Sequence, residues 1–227
     1  MKRHLAAIAT AAIAASSVAI AVAPGASAAA QAPIRTYHYS ENFNLTGLGR
    51  DAGWYYRGTS SQVTSLSGRL ARSGSTHEKY FNSHDKLQTV TEDDCIVDGH
   101  YYVKSANAKT WTTTKATAAE QREDARALDP YDVEALFNAI PGVRLVATGH
   151  YRVTGTPAQV GSFLNYEYGI TAKDLTEAGI KSVTVNLFAG PAGRPLEFSV
   201  SAHSSLECVA ITEKFFDYNK PVSIKAP

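Results

Sequence analysis

The last fifty residues constrain the fold most. From Val183 to Leu187, and again from Leu196 to Val200, apolar and polar residues alternate strictly. A period of two sends successive side chains to opposite faces of a strand. Gly190-Pro191-Ala192-Gly193 separates the two runs as a turn, and Val209, Ile211 and Phe215-Phe216 mark a further strand. Consecutive strands of this kind form an antiparallel sheet with one covered and one wetter face. Something else in the chain must supply the cover.

The middle of the chain supplies it. Ala118 to Leu128 is rich in good helix formers, Glu120, Gln121, Arg122, Glu123 and Arg126 among them, with a weak apolar side. Asp129-Pro130 is a helix start, an N-cap acid followed by proline at the first helical position. Val133, Leu136, Phe137 and Ile140 then recur at three- and four-residue steps, and Pro141-Gly142 closes this amphipathic helix. Val143 to Val153 reads as one or two strands. Thr156-Pro157 opens a second helical stretch through Phe163 and Leu164, and Thr171 to Ala178 a third, ended by Gly179.

Earlier segments add strands. Tyr37, Tyr39, Phe43 and Leu45 share one parity, with Glu41 the exception. Asp51 to Ser75 is rich in Gly, Ser and Arg and reads as short strands and turns. Asp98-Gly99 between Ile96-Val97 and Tyr101-Tyr102-Val103 is a preferred two-residue hairpin turn, and Thr110-Trp111-Thr112-Thr113 favours a strand. Residues 29–35 read as a frayed start. No linker or repeat divides the chain. The expectation is one α+β domain over 29–227, a curved antiparallel sheet holding a small helical cluster.

Residues 1–28 stand apart. A basic start, Lys2-Arg3-His4, precedes an alanine-dominated apolar run to Val22, then Pro24-Gly25 and Ala26-Ser27-Ala28. That order predicts a secretory signal peptide rather than a membrane anchor. No cysteine precedes Cys95, so no lipid-bearing cysteine follows the cleavage point. The expectation is a secreted chain, in the extracellular or cell-wall space, with no stable membrane anchor. The formal charge is +1, and losing Lys2 and Arg3 takes it to −1, so no electrostatic case for nucleic-acid binding exists. The two cysteines of an exported chain are expected to pair, Cys95 with Cys208, closing a long loop. They lack the Cys-x-x-Cys spacing of a reactive pair.

The chemistry-bearing residues form no catalytic pattern. His77 and His84 lack a zincin spacing, and His100, His150 and His203 are isolated, so no metal is expected. Glu92-Asp93-Asp94 lacks the spaced ligands of a calcium loop and reads as a solvated turn. There is no Gly-x-Ser-x-Gly elbow and no phosphate-loop lysine. The reading is a non-enzyme without cofactors. The aromatics Tyr37, Tyr39, Trp54-Tyr55-Tyr56 and Tyr101-Tyr102 suit either a ligand groove or ordinary strands.

From Asp98 onward the chain resembles the LolA/LppX-like carriers, in particular their actinobacterial secreted and lipoprotein relatives. The resemblance runs in order through Asp98-Gly99-His100-Tyr101-Tyr102-Val103, Trp111, Asp129-Pro130 and the helix after it, and Gly149-His150-Tyr151. It continues through Lys181 to Leu187, Gly193-Arg194-Pro195, and Phe215 to Ile224. It implies an unclosed half-barrel with helices on its concave side and a hydrophobic cavity between. On that architecture the candidate cavity lining is Val133, Leu136, Phe137, Ile140, Phe163, Leu164, Val185, Leu187 and Phe198. The family's leading helix and its lipid-modified cysteine have no counterpart here.

The resemblance implies a non-enzymatic binder of an acyl or lipid-like ligand, with an envelope protein as a further partner. The same fold with a filled core would instead be an extracellular protein-interaction module, and a secreted hydrolase is the third reading. Interior volume separates the first two: an apolar void of several hundred Å³ favours a ligand, and a packed interior favours the module.

Overall fold

The computed structural model describes residues 33–47, 55–66, 70–81, 87–205 and 207–227. The leader expected over residues 1–28, Trp54 and His84 lie outside them. Two antiparallel meanders carry the fold. The first is β1 (Thr36–Gly47), β2 (Tyr55–Ser65), β3 (Ala71–Phe81), β4 (Leu87–Val97), β5 (His100–Ser105) and β6 (Thr112–Lys115). Two helices follow, α1 (Ala118–Ala127) and α2 (Pro130–Asn138). The second is β7 (Arg144–Ala147), β8 (His150–Gly155), the helices α3 (Pro157–Tyr168) and α4 (Ala172–Glu177), then β9 (Val183–Ala189), β10 (Pro195–His203) and β11 (Glu207–Phe216).

β1 pairs with β11, which joins the meanders into one sheet of eleven strands in the order β6-β5-β4-β3-β2-β1-β11-β10-β9-β8-β7. The edges β6 and β7 do not pair, so the curved sheet stays open. The α1–α2 stretch runs from one edge to the other. This is the α+β architecture that the alternating strands and the intervening helical periods predict.

Local signals place the elements. Asp98 and Gly99 both have positive φ (52° and 74°), which the β4–β5 turn requires. The Asp129 carboxylate accepts from the Tyr131 backbone at 3.0 Å and starts α2. Thr171 and Asp174 form a reciprocal capping box that starts α4. Gly169 closes α3 in the left-handed conformation.

All four helices lie on one face, here the inner face. The Tyr101 hydroxyl donates to Asp124 of α1, and the Tyr37 hydroxyl to the Leu128 carbonyl between α1 and α2. Phe137 of α2 packs on Phe198 of β10, with centroids 6.0 Å apart. The apolar core sits under α2, α3 and α4, on β8 to β11 and β1.

Four expectations are corrected. The described residues between 51 and 75 lie in long strands rather than short ones, since β2 and β3 are eleven residues each. Pro33 to Arg35 are not frayed: Ile34 is buried in the core, and the Arg35 backbone donates to Asn219 Oδ1 at 2.7 Å. Glu92-Asp93-Asp94 is no turn, because it lies inside β4 and pairs with β3 and β5.

The disulfide is the fourth. Cys95 and Cys208 are both free. The cross-strand row through Cys95 runs by Ser73, Val63 and His38 to Phe216. Cys208 lies eight residues from Phe216 on β11, about 26 Å along a strand at ~3.3 Å per residue. A disulfide needs Cα atoms within about 7 Å. Counting cysteines carries no information about register, and register decides here. Cys95 is instead covered by the C-terminal tail, its thiol 3.7 Å from the Lys225 carbonyl.

Candidate functional site

The residues expected to line a cavity converge, but on a filled interior. Phe137, Ile140, Phe163, Leu164, Val185, Leu187 and Phe198 are all buried in one cluster, with Leu136 packed against it. Val133 lies on α2, and its side chain is outside the described set. Phe137 meets Phe163 and Phe198 at 6.2 and 6.0 Å, and Phe198 meets Phe163 and Phe215 at 6.2 and 6.0 Å. Edge-to-face and tilted rings at these distances are in ordinary packing contact. Nearby, between α4 and the β1–β11 pair, Leu45, Ile170, Leu175 and Val209 enclose about 10 Å³. That is about the room of one water molecule.

Beside this apolar cluster lies a carboxyl cluster. Glu41 on β1 stands directly opposite Glu213 on β11, both on the inner face. Glu167 of α3 comes down onto the pair and couples to both. Glu213 is buried, at 2% exposure, and Glu41 and Glu167 are half-buried. Burial, then repulsion from Glu41, pushes the Glu167 carboxyl up to about 8. Burial first, then Glu167 and Glu41, raises Glu213 well above the carboxylate range, and burial raises Glu41. Like charges opposite each other in a sheet are costly, and a buried carboxyl answers by keeping its proton.

Neutral donors complete the cluster. The Tyr39 hydroxyl donates to Glu213 Oε1 at 2.9 Å, and the Ser60 hydroxyl to Glu41 at 3.2 Å. The Tyr168 hydroxyl couples to Glu213 as well but falls short of hydrogen-bonding geometry, leaving it and Glu213 Oε2 buried without a partner. The arrangement can store protons. Glu213 is shut away from solvent, while Glu41 and Glu167 keep partial exposure.

The opposite, outer face is open. A groove of about 510 Å³ crosses β1 to β4, lined by His38, Ser61, Gln62, Val63, Ser73, Ser75, Asp93, Trp111 and Phe216. Phe216 is 43% exposed and packs its ring 5.6 Å from His38. Lys104 lies over the Trp111 ring at 6.0 Å. The histidines find ordinary partners: His77 meets Thr91 at 2.7 Å, and His150 meets Asn186 at 3.0 Å while stacking on Phe188 at 4.2 Å.

Sequence reasoning missed the carboxyl cluster, although the signal was present. Glu41 breaks the apolar parity of Tyr37, Tyr39, Phe43 and Leu45, and Glu213 shares parity with Val209, Ile211 and Phe215. Acids on a buried parity are buried acids. The groove had no such signal, since its residues come from six separate segments.

No family model matches the chain, and no curated protein does. Among solved structures it is similar to a beta-barrel-like protein of a domain of unknown function, DUF1849, from Brucella abortus. The identity is 11%, over 82% of this chain and 100% of that one, with a TM-score of 0.23.

Proposed function

We propose that this chain is an exported, non-catalytic binding module that meets its partner on the outer face of the sheet, its interior serving as core. One observation carries the reading. The ring cluster of Phe137, Phe163, Phe198 and Phe215 fills the space between helices and sheet where a bound acyl chain would lie. An interior closed by aromatic contacts leaves the outside to do the binding. The order of basic, apolar and small residues over 1–28 supports export. A sequence without a nucleophile elbow, a zincin spacing or a phosphate-loop lysine supports the non-catalytic reading.

The test is native mass spectrometry of protein secreted by its own producer, followed by organic extraction. The expected spectrum shows the mass of the bare chain and an empty extract. A reproducible, stoichiometric lipid would overturn the reading and establish the hydrophobic-ligand carrier in its place.

A further inference from the structure

The chain continues past its last strand. After β11 it turns at Asp217 and Asn219, both with positive φ (57° and 60°). Asn219 ties this turn to the start of β1. Its side-chain oxygen accepts from the Arg35 backbone at 2.7 Å, and its amide donates to the Pro33 carbonyl at 3.3 Å. Its backbone donates to the Thr36 carbonyl at 2.8 Å. The Thr36 hydroxyl then donates to the Lys220 carbonyl at 2.7 Å. Thr36 precedes His38 by two residues on β1, so it shares the outer face.

From that anchor the segment crosses the outer face. The Lys225 carbonyl accepts from the Cys95 thiol at 3.7 Å, and Cys95 stands on β4 in the row of Ser73, Val63 and His38. β1 and β4 are three strand spacings apart, about 14 Å at ~4.8 Å each. Lys220 to Lys225 spans about 16 Å when extended at ~3.3 Å per residue. The segment therefore runs extended over β2 and β3, across the strands.

Burial follows the same path. Val222 and Ile224 are half-buried and alternate with exposed Pro221, Ser223 and Lys225, so one edge of the segment faces the sheet. Cys95 is 3% exposed, whereas Asp93, two residues away on the same face of β4, is exposed. Among the described residues, the backbone of 221–227 makes no hydrogen bond to the backbone of the sheet. The segment is fixed at Asn219 and Lys220 and held beyond them by two apolar side chains and one thiol. A segment with few buried contacts and no ladder opens at low free energy while the rest stays folded.

We propose that residues 221–227 are a strap, hinged at Asn219 and Lys220, that lifts as a unit from the folded sheet and, when closed, blocks the strip of the outer face around Cys95. The device goes beyond the reading of the outer face as the working surface. It makes part of that face conditional, with the chain's own C-terminal segment as the resident occupant.

The test is N-ethylmaleimide labelling of the native full chain, read at each cysteine by peptide mass mapping. Cys208, half-buried on β11, is the internal reference. In wild type, Cys95 is expected to label slowly, at a rate that low urea does not change. Val222→Ser with Ile224→Ser should speed Cys95 at least tenfold, with the Cys208 rate and the melting temperature unchanged. A chain ending at Lys220 should label faster still, and a synthetic peptide of residues 219–227 added in trans should restore its protection saturably. Cys95 labelling that ignores the two substitutions would overturn the proposal. So would labelling that rises with urea in step with global unfolding, acceleration of both cysteines together, or a peptide that protects nothing. These failures leave the filled interior untouched, because that reading stands or falls on the lipid content of the secreted protein.

Discussion

Glu41 shows what one residue out of pattern means. On a strand whose other inward residues are Tyr37, Tyr39, Phe43 and Leu45, a carboxyl has to be neutralised by a cation or by a proton. Here its cross-strand neighbour is Glu213 and the nearest helix contributes Glu167, so the proton is the answer. The consequence is an inverted pH dependence. A carboxyl raised from 4.5 to about 8 in the folded state costs nothing below pH 4.5, where both states hold the proton. Between 4.5 and 8 the unfolded chain releases its proton while the folded chain keeps it, so stability falls as pH rises. The groups facing Glu167 reinforce this, because Glu41 and Glu213 are raised and Tyr39 and Tyr168 stay protonated. The melting temperature is therefore expected to decline from pH 5 to pH 8.5. Glu167→Gln should melt higher than wild type at pH 8.5 and differ little at pH 5. Calorimetry at the two pH values checks this; a Gln effect of equal size at both would contradict it.

At the scale of elements, the legible ones are those whose two faces differ. β9, β10 and β11 alternate because one face meets α2–α4 and the other meets water, and their periods read directly from the residues. β2 and β3 were illegible for the opposite reason. Ser60, Thr64 and Glu78 point inward and are buried, while Thr59, Ser61 and His77 point outward, so both faces are polar and no period survives. Gly58 belongs there for a steric reason, since a Cβ would sit 2.5 Å from the Phe43 ring. The helices were legible from their caps more than from their faces. α4 has six residues, too few to hold itself together, and depends on its box: Thr171 donates to Asp174 Oδ2 at 2.6 Å, and the Asp174 backbone donates back at 3.2 Å. Thr171→Ala is expected to cost about 1 kcal/mol, with Thr171→Ser close to wild type. Urea denaturation midpoints measure both. Equal midpoints for Ala and wild type would show that Leu175, buried at 1% exposure, anchors the helix without the cap.

At the scale of the molecule, the β1–β11 pair joins the two ends of the described chain and leaves the sheet open at β6 and β7. The interior divides across that seam, apolar under α2–α4 and polar or acidic towards β3 and β4. The residues of that apolar interior were legible from periodicity; whether they enclose space was not, because volume depends on how rings from four elements meet. The central claim is that they enclose none. The most direct test pairs a melt with uptake of a fluorescent fatty acid, for wild type and Phe137→Trp. Phe137 is fully buried among Phe163 and Phe198, so the larger ring should overpack the core at a cost of about 1–3 kcal/mol. The expected result is no saturable uptake by wild type and a lowered melting temperature for the variant. Saturable uptake by wild type, lost in Phe137→Trp with the melt intact, would contradict the account.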